Sequence, residues 1–176
     1  MRFTIGCSGK FPITCVGVKS VTTLVIDTGQ DIIGIYSVED REYLAYRGSR
    51  IAEALHRIQN ADEVITYNGE RRDLLDLARF AGIEGDFALK GKHTDMQVKV
   101  WAPIIGSSLT RTYEMHFEDC PECPFSATGS EVIGDYEAAN RCDVYMTLRL
   151  WKLWKADKLK LMGYGYLHHS NGGWSS

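Results

Sequence analysis

The sequence predicts an α/β fold with a mixed central sheet, an antiparallel three-strand meander continued by parallel strands and flanked by helices. Three observations carry this. The first half opens with three strand-sized apolar runs joined by short polar turns, at Thr22 to Ile26, Ile32 to Val38 and Glu42 to Tyr46. Segments with helical periodicity then alternate with further strand-sized runs. The chain has 176 residues, 44% of them hydrophobic, enough for one domain with a sizeable core.

Each element follows from local chemistry. Residues 1–20, rich in Gly and β-branched side chains, read as an N-terminal hairpin or irregular arm. The run ending at Ile26 passes into Asp27-Thr28-Gly29-Gln30-Asp31, the pattern of a buried strand and a tight turn. Ser49 is placed to cap a helix with Ile51, Ala54, Leu55 and Ile58 on one face. Glu63 to Tyr67 reads as a fourth strand. A second helix is expected from Glu70 to Phe80, with Leu74, Leu75, Leu77, Ala78 and Ala81 as its apolar stripe and a stop near Gly82. Residues 86–98 should contain a fifth strand through His93-Thr94-Asp95-Met96. Residues 99–130 are the least regular. A long helix is expected from Glu131 or Asp135 to about Lys158, with Ala139, Val144, Leu148, Trp151 and Leu153 inward. The domain is taken as residues 1–167, with 168–176 as a flexible tail.

Composition excludes several classes. The formal net charge is only −3, so no overall basic field exists for nucleic acid, and such a site would depend on local basic residues and bound metal. The longest apolar runs are strand-sized, and the N-terminal residues lack the apolar core of a signal peptide, so a cytoplasmic setting without a membrane span is expected. Five cysteines, an odd number, argue against a disulfide framework. Cys120-Pro121-Glu122-Cys123 has the spacing of a zinc half-site, which His116 and Cys142 would have to complete; the alternative is reduced cysteines in a turn-rich loop.

The chemistry sits in three aspartates. Asp27 ends an apolar strand, Asp73 lies near a helix start, and Asp143 lies on the long helix. Clustered carboxylates with no basic partner nearby suit a hard divalent cation. Two such ions about 4 Å apart clamp the attacking and leaving oxygens of an in-line displacement.

The segments Leu24–Gly29, Thr66–Leu74 and Tyr136–Leu150 resemble the three motifs of the DEDD-type 3′–5′ exonuclease superfamily, a branch of the ribonuclease-H-like fold. Members usually carry Asp-x-Glu on the first strand, Asn-x-x-x-Phe-Asp before the second helix, and an Asp followed by an apolar helical run in the third motif. Here the second motif is Asn68-Gly69-Glu70-Arg71-Arg72-Asp73, with Arg72 in place of Phe. The third runs Asn140-Arg141-Cys142-Asp143-Val144-Tyr145-Met146-Thr147-Leu148. His93-Thr94-Asp95 and Gly106-Ser107-Ser108-Leu109 resemble landmarks between motifs. The resemblance spans about residues 22 to 155.

It implies a metal-dependent nuclease that trims DNA or RNA, notably a single-stranded 3′ end, using two Mg²⁺ or Mn²⁺ ions held by Asp27, Asp73 and Asp143. Asn68, Tyr67 and Arg72 become the substrate contacts. The departures are specific. Gly29 stands where the first motif carries glutamate, with Asp31 and Glu39 as out-of-register substitutes. Ala138 and Ala139 occupy the two positions at which the family places its His or Tyr general base, and Tyr136 is a more distant substitute. The alternative is therefore an inactive exonuclease-fold module that binds nucleic acid or a protein. Among other features, Arg71 pairs with acidic neighbours or meets phosphate. Lys152, Lys155, Lys158 and Lys160 complement the last helix's dipole, with a DNA or RNA contact as a secondary role. Trp101, Trp151 and Trp154 read as core or partner-facing aromatics.

Overall fold

The computed structural model describes residues 21–29, 31–101, 107–118 and 136–161. The expected N-terminal arm, the Cys120/Cys123 pair, residue Gly106 and the 168–176 tail lie outside them. The elements are β1 (Thr23–Thr28), β2 (Ile32–Ser37), β3 (Glu42–Arg47), a 3₁₀ turn (Gly48–Arg50), α1 (Ile51–Asn60), β4 (Glu63–Thr66), α2 (Asp73–Ala81), β5 (Lys92–Asp95), α3 (Met96–Trp101), α4 (Leu109–Glu114) and α5 (Tyr136–Lys155).

One sheet runs in the order β3-β2-β1-β4-β5. β1, β2 and β3 pair antiparallel, whereas β4 and β5 join β1 in parallel. Mixed direction, this order and helices on both faces make the fold α/β and ribonuclease-H-like, as the sequence predicts. The strand period of two assigns each side chain to a face. Leu24 and Ile26 pack with Ile33, Ile35 and Tyr46 against Ala54 and Ile58 of α1 and Leu77 and Ala78 of α2. Val25, Tyr36 and Ile65 face the other way, against Val144, Leu148 and Trp151 of α5. The same alternation sends the side chain of Asp27 toward α5 and that of Thr28 toward α2. The end of β1 is where both helical layers meet.

Several local expectations are corrected. Helix α2 starts at Asp73, because Gly69 to Arg72 form turns whose N–H groups bond back to Asn68 and Gly69. Its stripe is narrower than expected: Leu77 and Ala78 are buried, but Leu75 and Ala81 are exposed. It stops at Gly82 in the left-handed region, φ +65°, as the sequence predicts. Ser49 lies inside the 3₁₀ turn and does not cap α1, whose N-cap is Arg50. Met96 opens α3 rather than extending β5, and the stretch read as irregular contains α3 and α4. Within α5, Val144, Leu148 and Trp151 are buried as expected, while Ala139 and Leu153 are half-buried. Cys142 is disulfide-bonded, which removes it as a thiolate for a zinc set. No helix among the described residues is long and apolar enough to cross a membrane.

Gly34, in mid-β2, marks the closest approach of α5 to the sheet. A Cβ there would lie 1.7 Å from Asn140 Oδ1, so the absent side chain makes room for the Asn140 carboxamide. We predict that Gly34→Ala lowers stability by about 1–3 kcal/mol in chemical denaturation, and that adding Asn140→Ala recovers part of that loss, a non-additive pair.

Candidate carboxylate site

Asp27 is the penultimate residue of β1 and faces α5. Asn140 Nδ2 donates to Asp27 Oδ2 at 2.7 Å and to the Asp27 carbonyl at 2.9 Å. The same carboxamide accepts from Tyr43 Oη at 2.8 Å. A chain of three side chains from β3, α5 and β1 is thereby locked together.

Asp73, the first residue of α2, is 1% exposed. Its Oδ1 accepts from the Thr28 N–H at 3.0 Å and lies 2.8 Å from Thr28 Oγ1. Thr28 Oγ1 also lies 3.0 Å from Asp76 Oδ2, so its single hydroxyl proton is contested by two carboxylates. Asp76 is paired with Arg79 at 3.1 Å. Asp143, half-buried on α5, sits one helical turn beyond Asn140.

Electrostatics tie the three together. Burial raises Asp27 well above the ordinary carboxylate range, and the charges of Asp73 and Asp143 raise it further; Arg72 and the Asn140 hydrogen bond oppose this. Burial lifts Asp73 to about 6 against the Thr28 bonds and Arg72, with Asp76 adding to the rise. Burial likewise lifts Asp143 to about 6, again opposed by Arg72. Burial raises the Tyr43 hydroxyl too, with Glu137 and Asp27 contributing. Three proton-hungry carboxylates at one strand end form a focus of negative potential.

Field and ligation differ in range. Among the described residues, no three His, Cys, Asp or Glu side chains form a group that could hold a metal ion. Charges interact over many ångströms, whereas a carboxylate must come within about 2.0–2.6 Å of Mg²⁺ or Ca²⁺. In this arrangement an oxygen of Asp27 is held by Asn140 and one of Asp73 by Thr28.

The remaining predicted residues separate by role. Arg72 is exposed, and its positive charge acts on all three aspartates. Asn68 is half-buried in the left-handed region, φ +62°, with its N–H donating to Asp95 Oδ1 at 2.8 Å. Tyr67 donates its hydroxyl to the Ser107 carbonyl at 2.7 Å and lies 2.5 Å from Thr112 Oγ1, which engages that group in packing. The substitute carboxylates do not join the site. Asp31 is exposed opposite Arg47 at 3.8 Å, and Glu39 accepts the Thr23 N–H at the far end of β1. Gly29 is tight: its N–H bonds the Ile32 carbonyl, and a Cβ would lie 2.8 Å from Ile32 Cγ2. Ala138 is buried, Ala139 half-buried, and Tyr136 is 62% exposed at the start of α5.

Sequence reasoning missed Asn140, Thr28 and Tyr43. Two signals pointed to Asn140: its place one turn before Asp143, and a glycine in the middle of a buried strand, which marks close approach.

No protein-family model matches the chain, and no curated protein matches it. A solved structure with a related shape is the family B DNA polymerase from the hyperthermophilic archaeon Pyrobaculum calidifontis, at 15% identity and a TM-score of 0.49. The match covers 77% of this chain and 25% of that one, so the chain spans about a quarter of the polymerase. The fold assignment rests on strand order and direction.

A carboxyl that titrates at about 6 when folded and near 4 when unfolded binds more protons in the folded state. Its contribution to stability is present below about pH 4 and is lost as pH rises through about 6. Asp143→Asn should therefore raise the melting temperature at pH 8 by roughly 2–8 °C and change it little at pH 4, as read by thermal denaturation across that range.

Proposed function

We propose that this chain is a divalent-metal-dependent nuclease of the 3′–5′ exonuclease type, acting on DNA or RNA. The single observation that carries the reading is the electrostatic coupling of Asp27, Asp73 and Asp143 at one end of the sheet. Unlike a surface acidic patch, these groups are raised in pKa by burial, so they gain most from a cation that replaces their protons. Mg²⁺ and Mn²⁺ fit a donor set made of oxygens alone. Bound there, such ions would act as Lewis acids on phosphate oxygens.

The chain's own residues then have distinct tasks. Asp27, Asp73 and Asp143 would hold the ions once their oxygens draw together, since as they stand they form no metal-holding group among the described residues. Arg72, an exposed cation beside the carboxylates, neutralises part of their charge and meets a phosphate of the incoming strand. Asn68, set on a left-handed turn, hydrogen-bonds the terminal nucleotide. Tyr67 offers its ring, since its hydroxyl is engaged. The substrate under this reading is a single-stranded 3′ end.

A second reading, an inactive exonuclease-fold module that binds nucleic acid or a protein, is favoured by two observations. Ala138 and Ala139 cannot deprotonate water, and the Asn140 carboxamide already holds Asp27 Oδ2.

Labelled single- and double-stranded oligonucleotides incubated with Mn²⁺ separate the two. The enzymatic reading expects shortening from the 3′ end, reduced on the order of 10²-fold in Asp27→Ala and Asp73→Ala. Unchanged shortening in Asp27→Ala refutes the assignment of these ligands. No shortening by the wild type, with oligonucleotide still bound, supports the inactive module.

A further inference from the structure

Trp154, half-buried near the end of α5, gathers lysines from three separate elements. Lys92 Nζ, at the start of β5, lies 5.2 Å from its ring centroid. Lys99 Nζ, on α3, lies 5.3 Å away, and Lys155 Nζ, on α5, 5.8 Å. Lys155 is also 5.8 Å from the Trp151 ring. All three lysines are exposed. The charge run expected mainly to serve the helix dipole, with a DNA or RNA contact secondary, thus joins, through Lys155, two lysines distant in sequence. Among the described residues the carboxylate paired with this group is Glu63, 2.9 Å from Lys92 Nζ, so three ammoniums face one acid.

Like charges repel, so their convergence requires a cause. The indole face attracts each ammonium, by about 0.5–1 kcal/mol at exposed sites. The result is a compact positive patch around a flat aromatic ring, on a protein whose net charge is −3. Its place in the fold is definite. Lys92 pairs in register with Glu63, and Glu63 with Thr23. Asp27 lies four residues further along β1, about 13 Å away along the strand direction. The patch and the carboxylates occupy opposite ends of the sheet.

We propose that the Lys92, Lys99, Lys155 and Trp154 surface is a second binding site, which takes the phosphate backbone of single-stranded nucleic acid. A polyphosphate supplies closely spaced negative charges for three ammoniums, and its bases supply faces that stack on indole. An acidic peptide offers charge without such faces. The site extends the nuclease reading, since it would hold the body of a strand whose end reaches the aspartates, but it binds without metal.

The test is fluorescence anisotropy of a labelled oligothymidylate with the full chain in EDTA, over a series of salt concentrations. Lys99→Ala, which removes an exposed side chain, should weaken binding about three- to tenfold at low salt and flatten the log–log salt slope by about 0.7. Lys155→Ala should do the same, and Trp154→Leu should weaken binding while keeping the slope. Wild-type affinity and slope in both lysine variants overturn the proposal. So does competition by poly-glutamate or phosphatidylserine vesicles equal to that of unlabelled oligonucleotide. If the lysine variants weaken binding as stated and the wild type does not shorten the strand in Mn²⁺, the patch stands and the nuclease reading falls.

Discussion

The cost of drawing three carboxyls out of water is the constraint around which this end of the molecule is arranged, and the charges of Asp73 and Asp143 add to it at Asp27. Asp27, Asp73 and Asp143 come from a strand and two helices on opposite faces of the sheet, and each is costly to ionise there. The neighbouring groups offset that cost in part. Thr28 supplies an N–H and a hydroxyl to Asp73, Asn140 an amide to Asp27, and Arg72 a positive charge to all three. None of these donors cancels the charge outright, so the carboxyls remain well above their usual range. A site of that kind stores unfavourable energy that a proton or a cation releases.

The surrounding fold is what makes the convergence possible. The two-residue alternation of β1 directs Asp27 to one helical layer and Thr28 to the other. Gly34 lets α5 approach close enough for one asparagine to reach both Tyr43 and Asp27. The parallel pairing of β1, β4 and β5 sets the lysine-rich surface at the starts of those strands, away from the carboxylates. A negative focus and a positive patch at opposite ends of one sheet give the domain a polarity that its small net charge conceals.

Much of this was legible in the sequence. The strands announced themselves as short apolar runs between polar turns, and the three aspartates stood out because each falls at the end or on the inner face of an element. The helix start at Asp73 was misjudged. Glu70, Arg71 and Arg72 are good helix formers, but Gly69 packs so tightly on Thr66 that a Cβ would lie 2.0 Å from its hydroxyl, and Asp95 claims the Asn68 N–H. Those tertiary contacts fix a turn that propensity alone does not reveal. The Asn140 contact was harder to read for a related reason: it joins residues 113 apart, and the mid-strand glycine and the place one turn before Asp143 hint at a close approach without naming its partner. The lysine cluster around Trp154 is likewise a product of three elements meeting.

The central claim is that these aspartates constitute one cation site. Amide line broadening by substoichiometric Mn²⁺ in the NMR spectrum tests it most directly. The account predicts that the signals of Asp27, Asp73 and Asp143 and their immediate neighbours broaden first and together, while those around Trp154 persist. Broadening centred elsewhere, or none at these three residues, would contradict it.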